Sequence, residues 1–405
     1  MSVHPGRVVE EARVVSRDLR SEGRGRILAA VAMGWFLSLG VRFAYPSLLP
    51  FLRDTYDLSL TLAGLLVTAL WTAYALGQFP GGVIGDRFGE GNVLVVSTLV
   101  STVALVVALT AANVLMLFVG SMAFGAASAL YATARFTIFT DIYDERAGTA
   151  VGLTMAGGSV GNTVLPALTA AIATAYTWRL GLAVLVPFLL GITVTLWLVV
   201  PGRTSTAGPS GELSAAVVRR LLSSFRRDRI MVVVGTHVLL SFASTGFLAF
   251  YPTYLVEVKG FSPGLAATLY GLYFAVGVVL QPLAGLSNDR FGPKWTLATA
   301  AGLFSLGLFV VPLGGSLAFF VVLSVLLSNR NSVGVVTNTY IADSLPGEVK
   351  GSGLGLLRTS WLLVGAASPT FVGYLGDLGQ IEDGYLVLAV AAGIATLLSL
   401  VVPTR

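Results

Sequence analysis

Cysteine is absent from the 405 residues, histidine occurs twice, and charged side chains make up only 11% of the chain. Without cysteine there is no disulfide framework, no thiol chemistry and no thiolate metal site. A soluble domain carries about a quarter charged residues, so this chain has too few to cover a water-facing surface. A nucleotide-binding P-loop, a Cys/His ligand spacing and a nucleophile–base pair are also missing. The sequence therefore gives no support for an enzyme, a cofactor, a metal site or ATP-driven pumping.

What is present is apolar sequence. Hydrophobic residues make up 55%, glycine occurs 47 times, and mean hydropathy is +0.84. The apolar runs are about 20 residues or longer, enough to cross a bilayer as helices, and small residues let such helices pack closely. Twelve candidate spans are read near 27–52, 59–84, 92–111, 113–139, 148–175, 180–200, 230–256, 263–287, 295–314, 316–341, 351–376 and 384–402. The expected organisation is a basic tail (1–26), a first six-helix bundle (27–200), a linker (201–229) and a second bundle (230–405).

Lys and Arg orient the spans. With the N-terminus cytoplasmic, that side holds six arginines in the tail, six in 201–229, and Arg87, Arg146, Arg290, Lys294, Lys350 and Arg405. The outer side holds only Arg53, Arg179 and Lys259. Eighteen against three places both termini in the cytoplasm of a multi-pass cell-membrane protein. Membrane topology therefore explains the net charge of +5 better than nucleic-acid binding does. The tail (Val8, Val9, Ala12, Val15, Leu19 against Arg7, Arg13, Arg17, Arg20) and the linker (Leu213, Val217, Leu221, Phe225 beside Arg219, Arg220, Arg226, Arg227) read as amphipathic helices meeting anionic lipid.

The segment Gln78-Phe79-Pro80-Gly81-Gly82-Val83-Ile84-Gly85-Asp86-Arg87-Phe88-Gly89 recurs 203 residues later as Gln281 to Gly292. At the same offset Ser59 matches Ser262, Ala63 matches Ala266 and Pro166 matches Pro369, while Asp141 matches Asp343 one residue short of it. A repeat at half-length between spans is the mark of two homologous bundles. The doubled Gly-x-x-x-Asp-Arg-x-Gly resembles the loop signature of the major facilitator superfamily, and the resemblance extends over nearly the whole chain. It implies an all-α membrane protein of twelve transmembrane helices in two pseudo-symmetric bundles. It also implies a monomeric secondary transporter working by alternating access, with the first, fourth, seventh and tenth helices around the cavity.

Gly82 and Gly285 are expected to let the second and eighth helices pack closely, and Gly89 and Gly292 to allow the reversal that follows. Asp86 and Asp289 sit at the cytoplasmic edge, and Arg87 and Arg290 can reach Asp141 and Asp343. The resemblance implies that this lattice gates the cytoplasmic side. Glu90-Gly91 and Pro293-Lys294 depart from the consecutive basic residues usual there. Gly157, Gly158, Gly161 and Pro166 match the signature of drug–proton antiporters poorly, because Leu165 precedes the proline; close packing explains them.

Four arginines lie within spans, Arg42, Arg135, Arg330 and Arg358, and no acidic residue lies deep in any. A charge at mid-span disfavours insertion by about 2.5–3.5 kcal/mol on translocon scales, so it marks a wet cavity or a partner. Arginines without carboxylates attract anions and repel cations. Trp35, Ser38, Arg42 and Tyr45 share one helical face. Arg330 lies on a polar stripe with Gly334 and Thr337, beside Asn331 and Asn338. Arg358 suits substrate contact and gating equally, and Tyr131 is a further candidate lining residue. Arg135, near a cytoplasmic end, is expected to snorkel outward. His237 suggests proton coupling, although a neutral, hydrogen-bonded packing histidine is favoured. The sequence reading is thus a carrier of a small anion, coupled to protons or another ion, or exchanging. A drug or lipid exporter and a sugar transporter are the alternatives.

Overall fold

The computed structural model describes residues 23–143, 147–204, 230–344 and 350–402. The amphipathic tail and linker helices, Arg146, Arg405 and the side chains of Asp343 and Lys350 fall outside the described residues. Among the described residues the chain is helical, with no strand.

The helices are α1 (Arg24–Tyr56), α2 (Leu60–Phe88), α3 (Glu90–Leu109), α4 (Val114–Ile142), α5 (Ala147–Ala175), α6 (Trp178–Ala183) and α7 (Val186–Val199). The second half has α8 (Ile230–Glu257), α9 (Pro263–Val310), α10 (Leu317–Leu327), α11 (Arg330–Ser344), α12 (Lys350–Asp377) and α13 (Ile381–Ser399). Nine stretches among the described residues are long and apolar enough to cross a membrane. One of them, Pro263–Leu313, is broken into two arms by non-helical backbone at Gly292 and so supplies two spans. Helices α5 and α12 complete twelve. These two are less apolar because their faces carry Gly, Ser and Thr for packing against protein. The outer surface is apolar instead, with Leu115, Trp197, Leu198 and Leu313 each at least 69% exposed, as a bilayer requires.

The repeat extends to the helix starts. Ser59 accepts from the Leu62 N–H and Ser262 from the Leu265 N–H, while Asn113 and Ser316, also 203 apart, accept from Met116 and Phe319. Each cap satisfies a donor that the first helical turn would leave bare. Both signature segments end on glycine with positive φ, Gly89 at 89° and Gly292 at 80°, which a side chain would strain.

Within the first half α1 packs along α5 and α2 along α4; within the second, α8 packs along α12 and α9 along α11 and α13. Gly161 brings α5 against α1 so closely that a Cβ would lie 2.2 Å from the Phe36 carbonyl oxygen. The halves meet where α12 crosses α2 and α5 crosses α9. At Gly64 and Gly373 a Cβ would come within 2.3 Å of the Pro369 carbonyl and 2.2 Å of the Leu60 carbonyl.

Among the described residues, the hydrogen bonds and ion pairs joining the halves lie at the end opposite the loop signatures. Arg53, ending α1, pairs with Glu257, ending α8. Asp377, ending α12, accepts from the N–H groups of Leu60 (2.7 Å) and Thr61 (2.9 Å) at the start of α2. Thr370 and Thr68 join hydroxyls at 2.8 Å slightly deeper. The structure is closed at that end.

Candidate functional site

Arg42 is the centre of the first half's polar interior. It sits mid-way along α1, is 0% exposed, and donates from Nε to the Ser38 carbonyl one turn back at 3.2 Å. Both terminal guanidinium nitrogens are buried without a well-aligned partner, although the Tyr74 hydroxyl lies beside them. Aromatic rings surround the group, with Tyr74 at 3.8 Å and Trp35 and Trp71 each at 5.3 Å from its carbon. Ring faces attract the cation but accept none of its in-plane hydrogens in good geometry. Two charged donors without a well-aligned partner in so apolar a setting leave a place for an acceptor from outside the protein.

Arg135 does not snorkel outward. It is 1% exposed, stacks on Trp35 at 3.6 Å and on Phe136 at 4.4 Å, and directs a terminal nitrogen to the Met155 sulfur at 3.2 Å. Stacking on Trp35 from across the helix interface outweighs the reach to water, so sequence position near a helix end was a poor guide.

In the second half, the tenth span is interrupted at Ser328 and Asn329, between α10 and α11. The polar run Ser328 to Ser332 disfavours regular helix, and bonds from Asn331 to Ser328 and from Ser332 to Asn329 tighten the turn. Ser328 fixes the break by donating to the Tyr273 carbonyl at 2.8 Å. Arg330 therefore starts a helix within the membrane. Its Nε donates to the Leu240 carbonyl on α8 at 3.0 Å, and the side chain is half-buried. Asn331, beside it, donates to Ser328 and reaches Tyr273. Arg358, half-buried on α12, stands 5.7 Å from the Phe136 ring of the other half. Its charge acts on Arg42, Tyr74 and Arg135 in one half and on His237 in the other.

Other expected lining residues are braces. Tyr45 accepts from Ser121 at 3.2 Å, and Tyr131 donates to the Val31 carbonyl at 2.8 Å while stacking on Trp35. Both tie α1 to α4. The Ser38 hydroxyl is buried without a partner, beside Arg42 on the same helix. His237 bonds through Nδ1 to the Thr337 hydroxyl at 2.7 Å and lies 4.1 Å from the Trp361 ring. The Thr337 hydroxyl also lies 2.9 Å from the Val333 carbonyl one turn back, which fixes it in place beside the ring.

The loop signatures differ from expectation in two respects. A Cβ on Gly82 or Gly285 would meet nothing within 4 Å; Gly77 and Gly81, one turn and one residue earlier, make the contact between α2 and α4. The side of α2 that carries Gly82 faces open space in this conformation. Arg87 lies over Phe88 rather than against Asp141, and Asp141 accepts from Thr204 at 3.0 Å. The reason is Arg203, which donates to the Asp86 and Arg87 carbonyls and draws the segment after α7 across this end. Burial raises the Asp141 carboxyl, the Thr204 hydrogen bond opposes this, and Glu90 and Asp86 add to it; the net shift is upward. Arg290 lies over Phe291, Asp289 is on the same turn, and the Asp343 side chain is outside the described residues.

Asp377 and its hold on α2 had no counterpart in the sequence reading. Its only signal was an acid just past Gly373 and Gly376, at the end of a span. The Trp35, Trp71 and Tyr74 box was visible only as separate aromatics.

A many-spanning helical bundle with doubled loop signatures and buried arginines at mid-span has the build of a membrane carrier. The Major Facilitator Superfamily model matches residues 31–285 and again 237–405, and the chain belongs to that superfamily. It is a multi-pass membrane transporter, not an enzyme. It is similar to the probable sulfoacetate transporter SauU of Cupriavidus necator, with 26% identity over 412 residues and 94% of each chain covered. It is similar also to the cis,cis-muconate transport protein of Acinetobacter baylyi, 25% identical over 353 residues and 84% of each chain. A solved bacterial homologue of the human lysosomal transporter Spinster, inward-facing and unoccupied, superimposes with a TM-score of 0.78 over 94% of this chain and 97% of that one, at 16% identity. That likeness concerns the fold.

Proposed function

We propose that this chain is a secondary transporter of small anions, which bind between its halves and cross by rocking of one bundle against the other. The observation that carries the reading is Arg42, fully buried, ringed by aromatics and with no well-aligned partner on either terminal nitrogen. Guanidinium matches the planar, two-oxygen face of a carboxylate or sulfonate. The names of the two relatives, which both specify anions, support the same class. Arg330, Asn331 and Arg358 complete the site from the other half.

The arginine and lysine asymmetry supports cytoplasmic termini, which makes the signature end cytoplasmic and the closed end external. The state described is then inward-facing. The division at 27–200, 201–229 and 230–405, a monomer, and lipid contact by the basic tail and linker belong to the same proposal. Proton or ion coupling and exchange are both compatible with it; His237, engaged by Thr337 and Trp361, is a brace before it is a proton carrier.

Thermal unfolding of the purified protein with a panel of anions tests the reading, because a ligand that prefers the native state raises the midpoint. The expected result is stabilisation by at least one anion class, absent in Arg42→Gln. Stabilisation by lipophilic cations or neutral sugars, with none by anions, overturns it.

A further inference from the structure

Four arginines lie in the interior: Arg135 is stacked on Trp35 and Phe136, Arg358 stands beside Phe136 where the halves meet, and Arg42 and Arg330 are two poles, one in each half, each donating to a helix carbonyl through Nε. In the first half the pole is Arg42, held by its own helix through Ser38, with the neutral Tyr74 hydroxyl beside it and no well-aligned acceptor on its terminal nitrogens. In the second it is Arg330, held through Leu240 and flanked by Asn331 and Tyr273. Neither pole borrows a hydrogen-bond partner from the other half. Arg358, half-buried on α12, stands 5.7 Å from the Phe136 ring of the first half and so lies where the halves meet.

Among the described residues no carboxylate pairs with these groups. The carboxylates among the described residues lie at or near helix ends, as with Glu90, Asp141, Glu257, Asp377 and Glu382. A ligand with one acidic group neutralises one pole and leaves the other buried without a counter-charge when the halves close over it. Leaving a buried charge unpaired is the expensive outcome. A ligand with an acidic group at each end satisfies both, and its length ties the halves together only when both ends are gripped.

We infer that the preferred substrate is a two-ended dianion, with one carboxylate or sulfonate on Arg42 and the other on Arg330, and Arg358 where the halves meet. This rests on the anion reading above and narrows it. The pairing also gives closure a trigger, since only a doubly charged ligand engages both halves at once.

The test is titration calorimetry on the full chain at pH 7.5, where both acids of each probe are ionised. The probes are the diacids succinate, glutarate and adipate, each against its half-amide, which keeps length and shape and loses one charge. Acetate and nitrate serve as single-charge references. The expected result is that at least one diacid binds at least about 30-fold more tightly than its half-amide, and that Arg330→Gln brings the ratio toward one. Arg330→Lys, which keeps the charge, should retain part of the preference, and the unliganded melting midpoints of both variants separate charge from misfolding. Equal affinity for diacid and half-amide, an unchanged ratio in a folded Arg330→Gln, or binding by acetate or nitrate but no diacid overturns the two-ended inference and leaves the anion reading standing. Binding by no probe of either kind overturns both.

Discussion

Asp377→Asn should open the closed end. In the closed state this carboxylate receives the Leu60 and Thr61 N–H groups at 2.7 and 2.9 Å and the Thr61 hydroxyl, all from the first turn of α2. Hydrogen bonds to a charged group contribute about 1.5–3 kcal/mol when buried, and an acid at a helix N-terminus adds about 0.3–1. Asp377 is exposed, so solvent screening reduces the total to about 1–2 kcal/mol. That much shifts a two-state ratio by about 5–30-fold. The absence of native cysteine gives a clean assay: spin labels at Asp54→Cys and Val258→Cys, both exposed at that end, report the separation of the halves by pulsed electron–electron resonance. The longer-distance population should rise by that factor in Asp377→Asn. An unchanged distance distribution would refute the assignment of Asp377 as a closing contact. The pH dependence has a defined sign. Burial pushes the carboxyl up, but the hydrogen bonds from Thr61, Ser59 and Leu60 outweigh it and hold it below its ordinary value. The contact is therefore fully present above the ordinary aspartate pKa, about 3.9, and is lost as pH falls through the lowered one. The same labels should show no change between pH 7 and 5.

Further outcomes follow from other contacts. Gly64→Val places side-chain atoms against the Pro369 backbone; overpacking of about 1–3 kcal/mol should lower the melting midpoint and separate the labels at the closed end. Asp141→Asn should raise the midpoint at pH 7.5, because a carboxyl raised by burial and by Glu90 and Asp86 favours the fold most below its ordinary pKa and loses that benefit as pH rises through the raised one; the difference from wild type should shrink in acid. Arg42→Lys should bind anions at least about 10-fold more weakly than wild type in calorimetry, since an ammonium supplies neither the planar fork nor the stacking on Tyr74. His237→Gln should leave the pH profile of transport between 6 and 8 unchanged if Thr337 and Trp361 hold the ring as a brace; a profile that flattens would make it a proton carrier.

The spans, the doubled signature and the in-span positions of the four arginines, though not the inward course of Arg135, were legible because each depends on one segment alone. Partition of an apolar run into lipid is set by that run, and the 203-residue repeat reappears in the paired caps Ser59 and Ser262. What one helix does to another was less legible. Tyr45 and Tyr131 share a face or a span with the site, yet Ser121 and Val31 engage their hydroxyls. Gly82 was expected at a close contact that Gly81 makes instead, a matter of about 100° of helix rotation that periodicity does not fix. The link from Arg87 to Asp141 lost to Arg203 and Thr204, which arrive from a segment more than sixty residues away. Asp377 meets α2 across 316 residues of chain, and only in the closed state of one end.

The central claim is that a small anion crosses on Arg42. Counterflow of labelled sulfoacetate and cis,cis-muconate into liposomes carrying the purified protein tests it most directly, because counterflow needs no assumption about coupling. The account predicts accumulation of at least one of them in wild-type vesicles, with none in Arg42→Gln. Equal counterflow in the folded variant, or transport of a cationic dye with no movement of either anion, would contradict it.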